Sequence, residues 1–490
     1  MHITRIVGGL LAVLALCCVG YLCFGNLGTR GIVDYDEARH GVNAYEMLRN
    51  DDYLVSTFAG TPDYWNLKPP LSYWCIALCY QLFGYTVFAL RFYSAFFMMA
   101  ATLALCLWMA RRFGLAAAVA VVLGIAANSK IYANHFARFA DADAQFQCLF
   151  TIAMLCMLQS RKNLNWLYGS AACFGLAFLS KSVHAVTIPM VCFVYLLCDR
   201  RLGKLTWKRF FGVLATGLAP ILIWAVARYT RDGFLFFEKM FSVDVAERIA
   251  SAESASANEM PALLYYLDYM VRLPAVWGYL VISAFSYLLV RWNGKRLSTE
   301  EASAALGCAL WAVVPVVLYT LTDVKAKWYS YSVLLALPAM MAIFVQAAAR
   351  VGKAGAVRAA AAAIAVGAMG LLTAFNVQSV ARESPDRPYQ EMMQATFDRE
   401  LDFGRHVYIQ YNESSNGKKI STWMPADRLA ALFYGDLVCM DGGAEAFEAD
   451  EESALLVMGS SENDALVATL GENYPLLNEN GSIVIFENLW

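Results

Sequence analysis

The chain has 490 residues, 59% of them hydrophobic and only 16% charged, with a formal net charge of −2 and a mean hydropathy of +0.47. Soluble globular chains are about 45–50% apolar and about 25% charged, so repeated long apolar runs mark a polytopic membrane protein. The near-neutral charge excludes an electrostatic footprint for nucleic acid. All thirteen cysteines except Cys439 lie in or beside apolar segments without paired CxxC spacing, which argues against a zinc site or a disulfide framework.

Met1–Cys23 resembles a signal peptide, with one arginine before an apolar run. No small-x-small cleavage site precedes Gly25-Asn26, so Ile6–Phe24 reads as a retained first transmembrane helix. Further spans are expected at Thr86–Ala110, Leu115–Ser129, Ala142–Leu158, Leu164–Leu179, Ala185–Leu197, Phe211–Ala227, Leu273–Val290, Ala302–Leu321, Ser330–Ala349 and Val357–Phe375, about eleven in all. Basic residues gather at Arg111-Arg112, Arg161-Lys162, Asp199–Arg209, Arg291–Arg296 and Arg350–Arg358. The positive-inside rule puts those loops in the cytoplasm and the loop Gly31–Pro70 and the C-terminal tail outside. The expected division is a membrane domain over 1–378, with its external loop at 25–85, and an extracytoplasmic α/β domain over 379–490.

The first external loop is unlike an ordinary connection. Asp34, Asp36 and Glu37 fall within four residues, Arg39 and His40 follow, and the loop closes on Lys68-Pro69-Pro70. Acids beside a hydrocarbon boundary are costly and mark function. Ala38, Val42, Tyr45 and Leu48 recur at helical spacing, so Asp36–Asn50 is expected as an amphipathic helix lying on the bilayer, capped by Asp34 or Asp36. Asp36, Arg39 and His40 share one face of it. Pro69–Phe83 reads as a second interfacial helix. Mixed charges recur at the outer helix mouths, among them Arg138, Asp141, Asp143, Lys181, His184, Lys325 and Lys327. Each alone suits a snorkelling side chain, whereas the set suits a cavity for a polar headgroup. In the tail, Val407–Gln410, Leu455–Val457 and Ile483–Phe486 read as strands, and Pro425–Tyr434 and Asn463–Leu470 as helices; Gly442-Gly443 is a turn.

Several of these stretches resemble one family. Asp36-Glu37-Ala38-Arg39, followed by Lys68-Pro69-Pro70-Leu71 and Tyr73-Trp74, is similar to the first external loop of the GT-C glycosyltransferases, in the branch of the lipid A aminoarabinose transferase and the protein O-mannosyltransferases. Arg138 with Asp143, the segment Gly175–Lys181, and Lys325-Ala326-Lys327-Trp328-Tyr329 before Leu337-Pro338 resemble later segments of that family. The chain departs from the family in having His40 where a tyrosine is usual and Ser182 where a glycine is usual, and it offers two lysines, Lys325 and Lys327, for one family position.

The resemblance implies a GT-C fold and a polyprenyl-phosphate sugar donor, with a lipid, glycan or protein as acceptor at the external face of the plasma membrane. It implies Asp36 as general base and Lys68 on the donor phosphate, joined by Arg248 and by Lys325 or Lys327. Arg39 and Arg138 would contact substrate. Asp143 would orient Lys68 or the acceptor. Glu37 is a helper or a helix-start acid, and His40 either a structural hydrogen-bonder or a substrate contact. The clustered acids are compatible with a divalent metal, although no spacing demands one. A transporter or flippase is the alternative, disfavoured because the charges gather at one face rather than at the midplane of two related halves. A scaffold presenting the tail domain would not need the acidic loop.

Overall fold

The computed structural model describes residues 2–133, 135–242, 262–321, 325–351, 355–411, 421–459, 463–480 and 483–489. Among these, eight helices are long and apolar enough to cross a membrane: Ile6–Phe24, Val87–Arg112, Trp166–Cys198, Trp207–Asp232, Pro274–Trp292, Thr299–Thr320, Lys327–Ala349 and Ala359–Ala381. The protein is a polytopic α-helical membrane protein. Its residues group into two compact units: Met1–Gly25, Tyr64–Ser72 and Tyr93–Arg382 form the first, and Asn26–Asp63, Tyr73–Phe92 and Glu383–Trp490 the second.

The first unit is a helical bundle. At its centre stands the helix Ala142–Gln159, with sixteen of its eighteen residues buried. A helix apolar nearly all round belongs inside a bundle, and here it tolerates Asp143, Gln145 and Gln147 because protein, not lipid, surrounds them. The stretch read as Leu115–Ser129 forms the shorter helix Leu115–Ala127. Beyond Trp166–Lys181 the chain makes a 3-10 turn over Ser182–Val186 before the helix Thr187–Cys198. Small residues set one close crossing. A Cβ on Gly175 would lie 2.4 Å from the carbonyl oxygen of Gly217 and 2.5 Å from Pro220 Cγ, so the helices Trp166–Lys181 and Trp207–Asp232 meet backbone to backbone. Without a hydrophobic drive between helices in lipid, such close approach supplies the packing.

The second unit joins the loop helices to the tail. A five-stranded sheet runs in the order Val438–Cys439, His406–Gln410, Ala454–Met458, Ile483–Glu487, Leu476–Asn480. The first three strands are parallel, and Ile483–Glu487 returns antiparallel to Ala454–Met458. The central strand is buried along Ala454–Val457, as expected where helices cover both faces of parallel strands. Gly442 and Gly443 both have positive φ at the turn that starts the short helix Gly443–Glu448, a backbone only glycine adopts without strain.

The helix Asp36–Asn50 forms where its periodicity predicts, but its burial corrects the expected environment. Ten of its fifteen residues are buried. The tail helix Pro425–Gly435 packs against it: a Cβ on Gly41 would strike Leu429, and the Tyr45 hydroxyl donates to Asp436. An apolar face needs covering, and here protein covers it instead of lipid.

Replacing Gly175 by valine should force the two helices apart and lower stability by about 1–3 kcal/mol. Thermal unfolding of the detergent-solubilised protein reads this as a lower midpoint; an unchanged midpoint would mean that the crossing carries no packing.

Candidate active site

In the second unit, the helix that carries Asp36 begins at an unusual backbone. Tyr35 stands at φ 67°, ψ −109° and offers no side-chain cap. Strain of this kind persists only where the surroundings enforce it, and it clusters at functional sites. Tyr35, rather than Asp34 or Asp36, stands at the N-cap position. The Glu37 carboxylate instead accepts the Val33 N–H at 2.9 Å, and Asp34 accepts the Ala426 N–H at 3.2 Å. Asp36 is thereby left at the first helical position, half-buried.

Glu37 is fully buried and faces Arg91, itself 4% exposed. Arg91 Nε and Nη2 each donate to the carboxylate at 2.7 Å. Its other N–H groups donate to the carbonyls of Leu27, Arg30 and Gly31. All five guanidinium donors are spent, so the pair is a structural clamp that fixes the chain from Leu27 to Glu37. Glu37 stands in the first turn of the helix Asp36–Asn50.

One turn on, Arg39 makes a two-pronged pair with Asp63 at 2.8 Å and lies 4.2 Å over the Phe58 ring. Such forked geometry is what guanidinium favours. Asn43 adds a 3.0 Å bond to the same carboxylate. His40 is fully buried; its Nδ1–H donates to the Asp36 carbonyl at 2.5 Å, and its ring lies 5.2 Å from Tyr73. That bond fixes the imidazole tautomer in the neutral ring.

In the first unit, Lys68 Nζ donates to Asp141 Oδ1 at 3.1 Å, while Asp141 Oδ2 meets His135 Nδ1 at 2.9 Å. The same Asp141 caps Ala142–Gln159 through the Ala142 N–H. His135 stacks on Trp328 with centroids 3.9 Å apart, which brings the Lys325–Tyr329 segment to the Lys68 cluster. Lys325 is half-buried, whereas Lys327 is exposed with its ammonium 6.0 Å from the Tyr269 ring centroid. Asp143 pairs with Lys181, a buried side chain, and Lys181 lies 5.6 Å over the Tyr329 ring. His135 and Ser182 both carry positive φ, so backbone outliers sit beside these residues as Tyr35 sits beside Asp36.

Lys68 is paired with Asp141, two residues before Asp143. Arg138 donates to the carbonyls of Leu22 and Gly25, closing the C-terminal end of the first helix, a favoured place for a cation. Arg248 lies outside the described residues. Lys181, read from the sequence as a snorkelling charge, is buried and paired. Sequence reasoning passed over Arg91, Asp63 and His135. For Arg91 a signal existed: a lone arginine in an apolar span is a flag by itself.

Exchanging Arg91 for methionine should remove the counter-charge of the buried Glu37, costing about 3–5 kcal/mol. Adding Glu37→Leu should recover most of that loss. Chemical unfolding of the single and double variants in detergent checks both; additive losses would mean the two side chains are not coupled.

A family model described as dolichyl-phosphate-mannose-protein mannosyltransferase matches residues 67–228. The undecaprenyl phosphate-alpha-4-amino-4-deoxy-L-arabinose arabinosyl transferase 2 of Pseudomonas fluorescens is 26% identical over 335 residues, covering 64% of this chain and 56% of the relative. The corresponding transferase of Aeromonas salmonicida is 28% identical over 322 residues, covering 62% and 54%. The chain thus spans little more than half the length of these relatives. Among solved structures, ArnT from Cupriavidus metallidurans bound to undecaprenyl phosphate aligns with a TM-score of 0.70 at 16% identity, covering 97% of this chain and 98% of that one. The apo oligosaccharyltransferase of Archaeoglobus fulgidus aligns with a TM-score of 0.51 at 11% identity, covering 92% and 69%. These likenesses agree with the resemblance read from the motifs: the chain has the fold of the GT-C membrane glycosyltransferases, and its sequence is similar to their aminoarabinose- and mannose-transferring branch.

Proposed function

We propose that the protein is a membrane glycosyltransferase that moves a sugar from a polyprenyl-phosphate donor to a lipid, glycan or protein acceptor. It would act at the periplasmic face of the inner membrane. The observation that carries this reading is Lys68, a part-exposed ammonium held by the buried carboxylate of Asp141, on the Lys-Pro-Pro-Leu segment where the family match begins. The names of the relatives support a polyprenyl-phosphate donor, and the undecaprenyl phosphate bound to the Cupriavidus ArnT supports it as well.

The chemistry is one displacement. The Asp36 carboxylate takes the proton from the acceptor nucleophile, which bonds to the anomeric carbon. The bond from that carbon to the phosphate oxygen breaks, and the polyprenyl phosphate leaves with the electron pair. A single displacement inverts the anomeric centre. Developing charge on the leaving phosphate is met by Lys68 and Lys325, with Lys327 and Arg248 as further cations. Arg39, aimed by Asp63, would contact the acceptor, and His40 braces the start of the Asp36 helix through the Asp36 carbonyl. Asp143 holds the Lys181 ammonium in position. Glu37 and Arg138 serve the scaffold that supports these groups.

Asp36→Asn should keep the fold and reduce transfer by about 10²–10⁴-fold, the usual worth of a general base. Mass spectrometry of the cell envelope, comparing wild-type, Asp36→Asn and deleted strains, tests it. One glycan or lipid should lose a sugar in both defective strains while its polyprenyl-phosphate donor persists. An expressed Asp36→Asn protein that restores the wild-type pattern would remove Asp36 as the base.

A further inference from the structure

In the second unit, the turn between Asp398 and Arg405 carries Leu401 and Phe403, which are 86% and 65% exposed. Leu401 is the most exposed large apolar side chain among the described residues, although it stands in the polar tail and not in a membrane span. Single exposed apolar side chains are ordinary; two displayed by one fixed turn call for a covering. The turn is fixed from within. The Asp398 carboxylate accepts the Glu400 N–H at 2.8 Å and the Leu401 N–H at 3.4 Å. The Asp398 N–H donates to Asp402 Oδ2 at 2.8 Å, and the Asp402 N–H returns to the Asp398 carbonyl at 2.8 Å. Arg405 pairs with Asp402 at 3.2 Å.

Contacts inside the same unit set this turn beside a second apolar surface. Arg399 lies 4.7 Å over the Tyr85 ring and pairs with Asp436, which Arg49 also holds. The Arg49 guanidinium is in turn 6.0 Å from the Phe403 ring centroid. Tyr85 follows the apolar helix Leu71–Phe83, whose C-terminal half exposes Leu78, Leu82 and Phe83. The Phe83 ring meets those of Phe88 and Phe92, with centroids 5.6 and 4.7 Å away, in the first two turns of the span Val87–Arg112. Phe83 therefore stands level with the start of a membrane span. Tyr85 and its partner Arg399 sit two residues from Phe83 and from Leu401 respectively, as aromatic and basic side chains do at a membrane boundary.

We propose that Leu401 and Phe403 dip into the bilayer leaflet on the tail's side, so that the tail rests on lipid through this turn. The chain of contacts from Phe403 through Arg49, Asp436 and Arg399 to Tyr85 makes the turn continuous with the exposed end of Leu71–Phe83, and that continuity favours lipid as the covering over another protein. Arg49 and Arg399 flank the apolar pair and suit headgroup phosphates. Glu400, exposed between Arg399 and Leu401, keeps the insertion shallow, within the roughly 5–10 Å of an interfacial contact. The seating concerns lipid alone, and its test does not depend on the transfer reaction.

The full-length protein would carry the photoreactive p-benzoylphenylalanine in place of Leu401, Phe403, Leu82 or Glu472, one position at a time. Each variant would be reconstituted into vesicles of phosphatidylethanolamine and phosphatidylglycerol, irradiated, digested and read by mass spectrometry for lipid adducts. All four side chains are exposed, so the probe leaves the core intact. Leu82 is the boundary reference, and Glu472, on the tail helix Asp464–Asn473, is the polar one. Leu401 and Phe403 should give lipid adducts within about threefold of Leu82 and at least about tenfold above Glu472. Adduct yields at Leu401 and Phe403 no higher than at Glu472 would overturn the proposal. Crosslinks from both positions to a second protein chain in place of lipid would overturn it as well and make the turn a protein interface.

Discussion

A carboxylate and a guanidinium taken out of water together are favourable only when nearly every lone pair and N–H finds a partner. Glu37 and Arg91 meet that condition with all five arginine donors satisfied. Three of those bonds end on backbone carbonyls between Leu27 and Gly31, and Glu37 holds the Val33 N–H besides. The clamp therefore does more than pair two charges. It imposes the path of a segment that has no regular structure of its own, and the first turn of the Asp36 helix inherits its position from that path.

The Lys68 cluster follows a related rule in the other unit. One carboxylate, Asp141, serves three groups: the first amide of a buried helix, an imidazole and an ammonium. The helix N-terminus is itself positive, so part of the carboxylate's charge is already answered before Lys68 arrives. The lysine is thereby held in place at the start of that helix. Trp328, stacked on His135, ties the late lysine-bearing segment to the same aspartate.

Much of this was legible in the sequence, and the failures have physical causes. The strands His406–Gln410, Ala454–Met458 and Ile483–Glu487 follow apolar runs that only a buried sheet explains. The strand Leu476–Asn480, half-exposed and polar, shows no alternation to read, and Val438–Cys439 is too short to show any. Periodicity located the Asp36–Asn50 helix within a residue, yet an amphipathic face does not say whether lipid or protein will cover it. Asp141 and Asp143 stand two residues apart, and tertiary packing alone decides which meets Lys68 and which meets Lys181.

The backbone at Tyr35 bears on how freely this loop can change. A tyrosine with φ of 67° adopts a conformation that glycine reaches at little cost. Glycine there would ease the strain in the folded state, yet it would widen the set of conformations open to the unfolded loop and soften the entry to the helix. A tyrosine favours negative φ, so its own preference opposes the turn, and the bonds around it, Val33 N–H to Glu37 and Ala426 N–H to Asp34, hold it there. The strain is thus stored by the neighbours, and selection for stability alone would work against it.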